Sequence, residues 1–259
     1  MIAASYDAFL LDLDGVLYRG QEPVPGAAVA LRGLRELGKG LAFMTNNSAR
    51  TPGEVAEQLG RVGVEASANE VETSALTTGA LVRERGVRSA FVVGERGLRD
   101  AVAAAGCALL DGEPPGADAV IVGWDRSVDY AKLRTASVLV ERGASLIASN
   151  TDASWPAPDG LAWPGAGAIV AAIETTTGVT AEVVGKPHEP IFRAALARAG
   201  GGRPLVIGDR LETDIEGARR LGWDSMLVLT GIASRADVER SGPTPTYVGD
   251  DLSAVLGTG

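Results

Sequence analysis

The sequence holds one cysteine, Cys107, and one histidine, His188, in 259 residues. A single cysteine excludes an intramolecular disulfide and a cysteine-rich zinc site, and a single histidine excludes a conventional multi-histidine metal centre. Cys107 sits in the apolar stretch "AAAGCALL", where a small buried hydrophobe is expected rather than a nucleophile. Basic residues are also in deficit, 24 against 33 acidic, for a net charge of −9. Nucleic acid and anionic membranes would both repel such a chain, so neither is expected as a partner. The densest basic stretch, "RERGVR" (Arg83 to Arg88), reads as a solvated helix end. No uninterrupted apolar run approaches the ~18 residues of a membrane span. The start lacks a basic region ahead of an apolar one, so no signal peptide is expected and the placement expected is cytoplasmic. Internal repeats, low-complexity segments and long linkers are absent as well.

What is present is 46% hydrophobic and 22% charged residues, ordinary for a globular protein with a substantial core. The length suits one large domain or two of ordinary size. Short apolar runs recur, "DAFLLD", "GLAFMT", "SAFVVG", "DAVIVG", "ASLIAS", "PLVIGD" and "SMLVLT", most of them nearly continuous, the pattern of strands buried on both faces. Helical patterns lie between them. "TPGE" (Thr51 to Glu54) offers a capping threonine with proline at the first helical position, and "TDIE" (Thr213 to Glu216) repeats the capping-box spacing. This alternation predicts an α/β fold with a doubly wound, mostly parallel sheet.

Ligands of such sheets bind beyond the carboxyl ends of the strands. Asp12 and Asp14 follow "FLL"; Thr45, Asn46 and Asn47 follow "LAFM"; Lys186 follows "EVVG"; Asp209 follows "LVIG", with Asp214 five residues on. If these four runs lie in one core sheet, the polar groups converge on one edge. Phosphate-ester hydrolysis suits these residue types. Asp12 can attack phosphorus to form an aspartyl-phosphate, and Asp14 can give a proton to the leaving alkoxide and later take one from water. Mg²⁺ suits Asp12, the backbone carbonyl of Asp14 and Asp209 as oxygen ligands. Lys186 can balance charge, while Thr45 and Asn46 can hold phosphoryl oxygens. Phosphate-monoester hydrolysis can need up to ~10²¹-fold acceleration, and acid–base help supplies roughly 10²–10⁴ of it, so a bare acidic pair would not suffice. A calcium loop starting at Asp12 would need glycine and glutamate where Leu17 and Pro23 stand, and that reading fails.

In this order, "DLDGVLY", "TNN", "GKP" and "GDRLETDI" resemble the four motifs of the haloacid dehalogenase superfamily, and the whole chain is similar to its NagD-like, para-nitrophenyl-phosphatase branch. "NTDASWP", "PGAGAIVAAIE" and "PTYVGDDLSAVL" resemble that branch too. The resemblance implies a Rossmann-like core with an inserted α/β cap domain. It also implies Asp12 as nucleophile, Asp14 as acid and base, Thr45, Asn46 and Lys186 on the phosphate, and Asp209 on Mg²⁺. Asp214 would support the metal or its waters from behind. An acid at position 14 favours phosphatase over dehalogenase or phosphonatase members. The role of His188, directly after "GKP", is left open.

About 30 residues separate Asp14 from Thr45, too few for a large insert, and about 140 separate Thr45 from Lys186. The organisation expected is a core of 1–77 and 183–259 with a cap of 78–182. Closure of the cap would exclude water and supply specificity. Within it, Ser149 to Gly167 is expected to face the leaving group through Asp152 and Trp155, or Trp155 and Trp163 only pack the cap. "PGAGAIV" lacks the lysine of a phosphate-binding P-loop and reads as a helix start. The function expected is hydrolysis of a small phosphorylated metabolite, glycerol 3-phosphate first; phosphoglycolate, pyridoxal phosphate, nucleoside monophosphates and aryl phosphates are alternatives. A phosphotransferase or mutase and a non-catalytic phosphometabolite-binding protein are the competing classes. A signalling receiver would be about half as long and lack a cap. The branch includes cap-mediated dimers, so a homodimer is among the expectations.

Overall fold

The computed structural model describes residues 1–156, 161–240 and 242–257. Residues 157–160 of the Ser149 to Gly167 stretch therefore lie outside the described residues. The chain forms two compact units: Met1–Thr45, Pro52–Glu72 and Lys186–Gly259 make the first, Asn46–Thr51 and Thr73–Gly185 the second. The span 78–182 read from the sequence lies inside the longer segment of the second unit. The short piece Asn46–Thr51, next to a core strand in sequence, also belongs to that unit.

The six-stranded sheet runs, edge to edge, Tyr247–Gly249, Asp224–Val228, Pro204–Gly208, Ala8–Asp12, Gly40–Thr45, Val71–Thr73. The first five are paired in parallel. Along Ala8–Asp12 the side chains alternate between two cores. Phe9 and Leu11 pack with Tyr6, Leu34, Phe43 and Ile207 on one face; Ala8 and Leu10 pack with Met44, Ile191, Phe192 and Val206 on the other. Burial on both faces explains the unbroken apolar run. Strand order reverses beside Ala8–Asp12, whose neighbours are Gly40–Thr45 on one side and Pro204–Gly208 on the other. Carboxyl ends beside such a switch point form a crevice, and Asp12 and Asp209 stand at two of them.

The second unit has a five-stranded parallel sheet, Glu182–Val183, Ser145–Ala148, Ala119–Val122, Ser89–Val93, Ala108–Leu110. It follows the same logic: Phe91, Val93, Val120 and Val122 face one core, and Ala90, Val92, Ala119 and Ile121 the other. Cys107 is buried in that second core. A small antiparallel hairpin, Ser154–Pro156 with Ala162–Pro164, sets Trp155 opposite Trp163. The helix expected at "PGAGAIV" runs Ala166–Thr177, and the one at "TPGE" runs Pro52–Arg61.

Two sequence expectations are corrected. The run "EVVG" is not a core strand: Glu182–Val183 pairs with Ser145–Ala148 in the second sheet. An apolar run fits either parallel sheet equally well, so the pattern alone does not choose. "TDIE" is not a capping box either. Leu211–Ile215 form a single π-helical turn that leads into the α-helix Glu216–Leu221. The hydroxyl of Thr213 donates to Asp214 Oδ2 at 3.2 Å instead of capping. The fully buried Asp214 carboxylate needs donors more than a helix start already in helical conformation does.

Candidate active site

Four buried charged groups meet at the carboxyl edge of the first unit. Asp12 ends its strand at 9% exposure; Lys186, Asp209 and Asp214 are at 4%, 2% and 0%. Lys186 Nζ donates to Asp12 Oδ1 at 2.6 Å and to Asp214 Oδ1 at 2.7 Å. Burial by itself would lower the Lys186 pKa, but the two carboxylates outweigh it and hold the ammonium above its ordinary value. Asp214 is engaged on both oxygens, because Oδ2 accepts from the backbone N–H of Arg210 and the Thr213 hydroxyl.

Asp209 differs. Its Oδ2 accepts the backbone N–H of Ile232 at 2.8 Å. Its Oδ1 is a buried side-chain atom without a hydrogen-bond partner, the one such atom among the described residues. Burial first, then the charges of Asp12 and Asp214, push the Asp209 carboxyl up to about 8, against the Ile232 N–H and Arg210. Two glycines make room for it. A Cβ on Gly15, whose φ is +82°, would stand 2.3 Å from Asp209 Oδ2, and one on Gly231 would stand 2.0 Å away. Gly15 is thus both a turn that an L side chain rarely adopts and the wall of the Asp209 site.

Asp12, Asp209 and Asp214 each offer an oxygen, all within 4.8 Å of one another. Three carboxylates against one ammonium leave a formal excess of two negative charges. The donors are hard oxygens, the set that suits Mg²⁺, and a buried carboxylate oxygen without a hydrogen-bond donor suits a cation as its partner. The residues present therefore fit a divalent metal.

Asp14 lies past the strand end, where its residue bridges to Tyr18. The residue is solvent-exposed, yet the protein atoms packed about its carboxyl raise its pKa above the ordinary value. The backbone N–H groups of Gly20 and Gly15 and the charge of Arg210 pull the other way. Thr45 is the last residue of its strand, in the first unit, and half-buried. His188 is the cap residue of the helix Glu189–Arg198 without a side-chain cap bond, and burial and Arg220 lower its pKa.

Asn46, Asp152 and Trp155 belong to the second unit. The Asn46 amide donates from Nδ2 to Asp152 Oδ1 at 3.0 Å. Trp155 packs between Trp124 and Trp163, with ring centroids 5.0 and 6.0 Å apart. The sequence reading did not single out Gly231, Ser74 or Asn150. Asn150 stands two residues before Asp152 in "SNTD", inside the polar stretch, so a signal for it existed.

Comparison with known proteins gives a consistent picture. A family profile described as haloacid dehalogenase-like hydrolase matches residues 9–108, and one described as HAD-hydrolase-like matches residues 183–255. An acid sugar phosphatase from Staphylococcus saprophyticus is 37% identical over 255 residues, 97% of each chain. A D-glycerol 3-phosphate phosphatase from Mycobacterium tuberculosis is 37% identical over 258 residues, 98% of this chain and 72% of the relative. The crystal structure of glycerol phosphate phosphatase from that organism in complex with magnesium superposes with a TM-score of 0.93 at 36% identity, covering 98% of this chain and 77% of the other. NagD from Escherichia coli K-12 superposes with a TM-score of 0.88 at 32% identity, covering 95% and 97%.

Proposed function

The chain belongs to the haloacid dehalogenase-like hydrolases, in the NagD-like branch of phosphatases, and from that premise we propose that it hydrolyses small polyol phosphates, glycerol 3-phosphate first, through Asp12. The observation that carries this reading is the buried ammonium of Lys186 shared between Asp12 and Asp214 beside an unpartnered Asp209 oxygen. Lys186 holds Asp12 Oδ1 and so limits the carboxylate's rotation. As the Asp12 oxygen bonds to phosphorus, the bond from phosphorus to the ester oxygen breaks, and Asp14 gives that oxygen a proton. The ionised Asp14 then takes a proton from water as the water oxygen bonds to phosphorus and the Asp12 link breaks, which restores both residues. The raised pKa of Asp14 favours the protonated form this role needs.

Asp12, Asp209 and the Asp14 carbonyl would hold Mg²⁺, with Asp214 supporting them from behind. The ion would supply charge neutralisation for a phosphate dianion entering an acidic cluster. Thr45 and Asn46 would hold phosphoryl oxygens, and the second unit, through Asp152 and Trp155, would read the leaving group. Glycerol 3-phosphate leads because a relative matched over nearly the whole chain is a D-glycerol 3-phosphate phosphatase, and a sugar phosphatase relative shares polyol phosphate chemistry. A panel of phosphate esters assayed with Mg²⁺ and with EDTA tests this. The expected result is metal-dependent phosphate release, fastest for glycerol 3-phosphate; equal rates with EDTA, or a preference for aryl over polyol esters, would overturn it.

A further inference from the structure

Three residues of the second unit form a closed ring of hydrogen bonds. Asn150 Nδ2 donates to the Asn46 carbonyl at 2.7 Å, Asn46 Nδ2 donates to Asp152 Oδ1 at 3.0 Å, and the Asp152 N–H donates to Asn150 Oδ1 at 3.1 Å. Each member donates once and accepts once within the ring. Asn150 is 3% exposed and Asn46 7%, so these amides need such partners. A fourth bond completes the knot: Ser74 Oγ donates to the same Asn46 carbonyl at 2.7 Å. A carbonyl oxygen has two lone pairs, and here both are used, one by Ser74 and one by Asn150.

The knot's members and their neighbour Gly185 are distributed unusually along the chain. Asn46 directly follows Thr45, Ser74 lies one residue past the Glu72–Thr73 crossing, and Gly185 directly precedes Lys186; each is where the chain passes between the units. Gly185 packs against the knot without bonding to it. Its N–H donates to Ser149 O at 2.9 Å, and a Cβ there would stand 2.6 Å from Asn46 Oδ1 and 3.2 Å from Asn150 Cβ. Asn46 itself and Ser74, bonded to its carbonyl, thus mark two of the four crossings, and Gly185 at a third packs closely against the Asn46 side chain; the crossings at Asn46 and Gly185 lead straight into Thr45 and Lys186.

We infer that Asn150 is a positioning residue for phosphate capture, acting through the Asn46 carbonyl to fix the loop Thr45-Asn46-Asn47, against which Gly185, the residue before Lys186, packs. The inference rests on the phosphatase reading above. Asn150 touches no reacting atom in this role. It sets the backbone from which the phosphate-binding residues project, so its effect falls on the phosphoryl group common to all substrates, not on the leaving group.

The test is Asn150→Asp, which keeps the Oδ1 acceptor for Asp152 and places a carboxylate oxygen against the Asn46 carbonyl. The expected result is a rise of about tenfold in KM, equal for glycerol 3-phosphate and for an aryl phosphate, with a smaller change in kcat. The dissociation constant of inorganic phosphate, measured by calorimetry, rises by the same factor. Both deficits shrink relative to wild type as pH falls, because only a protonated carboxyl can donate to the Asn46 carbonyl. Wild-type phosphate affinity, or a reordered substrate ranking at unchanged phosphate affinity, would overturn the inference. If Asn150→Asp does not fold, Ser74→Ala removes the other donor to the same carbonyl; a uniform but smaller weakening of phosphate binding supports the inference, and no change sinks it. A wild-type protein inactive on every ester overturns the phosphatase reading instead, and the calorimetry with phosphate still decides this one.

Discussion

In the first unit, three carboxylates surround one ammonium and leave Asp209 Oδ1 without a partner; in the second, Asn46, Asn150 and Asp152 satisfy one another in a ring. Both sets sit where parallel strands of similar construction end, and both involve buried polar side chains. The difference is charge balance. The ring joins two neutral amides to one carboxylate, Asp152, which is only half-buried, so its single charge is met by an amide donor and by solvent without a counter-ion. A cluster with two formal excess negative charges closes only by taking up a proton or a metal cation. Such a cluster costs stability in the folded protein and persists where an incoming ligand offsets it, which is the logic of a site built for chemistry.

The comparison breaks most sharply at Asp12. Asp12→Asn is expected to abolish phosphate release by about 10⁴-fold or more, as loss of a nucleophile does. The thermal midpoint should hold or rise, because one of three crowded carboxylates has gone. Steady-state kinetics beside a thermal scan checks both halves, and substantial residual turnover would remove Asp12 as nucleophile. Next in size is Lys186→Met. With the ammonium gone, Asp12 and Asp214 lose the donor they share at 2.6 and 2.7 Å. Leaving buried charge uncompensated costs about 3–5 kcal/mol, to be read from the denaturant midpoint without metal. Saturating Mg²⁺ should recover part of that loss.

Much of this site is legible in the sequence, and the unread part has a physical reason. Asp12 and Asp209 announce themselves because each ends an unbroken apolar run, and burial on both faces is what makes such runs. Lys186 is found by its motif, yet the sheet that holds the run before it is not, since "EVVG" satisfies the burial pattern of either sheet and pairs in the second. Thr213 carries the spacing of a helix cap but serves a buried carboxylate, and spacing does not report what a neighbouring side chain needs. The ring is the least legible feature. Asn46 and Asn150 lie 104 residues apart, and no periodicity in either segment indicates that one amide faces the other's carbonyl. "TNN" also continues a core strand without a break, so nothing marks Asn46 as the start of the second unit.

Gly231 offers a gentler perturbation of the acidic side. A methyl group there would meet Asp209 Oδ2 at 2.0 Å and its Cγ at 2.5 Å, so Gly231→Ala must turn the carboxylate. Residues that orient metal ligands typically affect affinity by about 10–100-fold. The expected outcome is a rise of that size in the Mg²⁺ concentration giving half-maximal activity, with turnover at saturating Mg²⁺ changed much less. An unchanged Mg²⁺ requirement would show that Asp209 does not bind the metal.

The finest prediction concerns protons. Asp209 is raised from 3.8 to about 8 in the folded chain by burial and by Asp12 and Asp214, so between those values the folded state holds a proton that the unfolded state has released. Stability then falls as pH rises, because the unfolded state binds fewer protons across that window. Without metal, this contribution is fully present below about pH 4 and is lost as pH passes about 8. Mg²⁺ competes with that proton, so its apparent affinity should strengthen by up to tenfold, about 1.4 kcal/mol, for each pH unit gained below about 8. At a fixed Mg²⁺ concentration the rise in thermal midpoint should therefore be larger near pH 8 than near pH 5. Thermal scans with Mg²⁺ and with EDTA at both pH values measure it directly. A metal-induced shift independent of pH would mean that Asp209 is already ionised in the free protein, and the excess charge would then be balanced by another group of the chain.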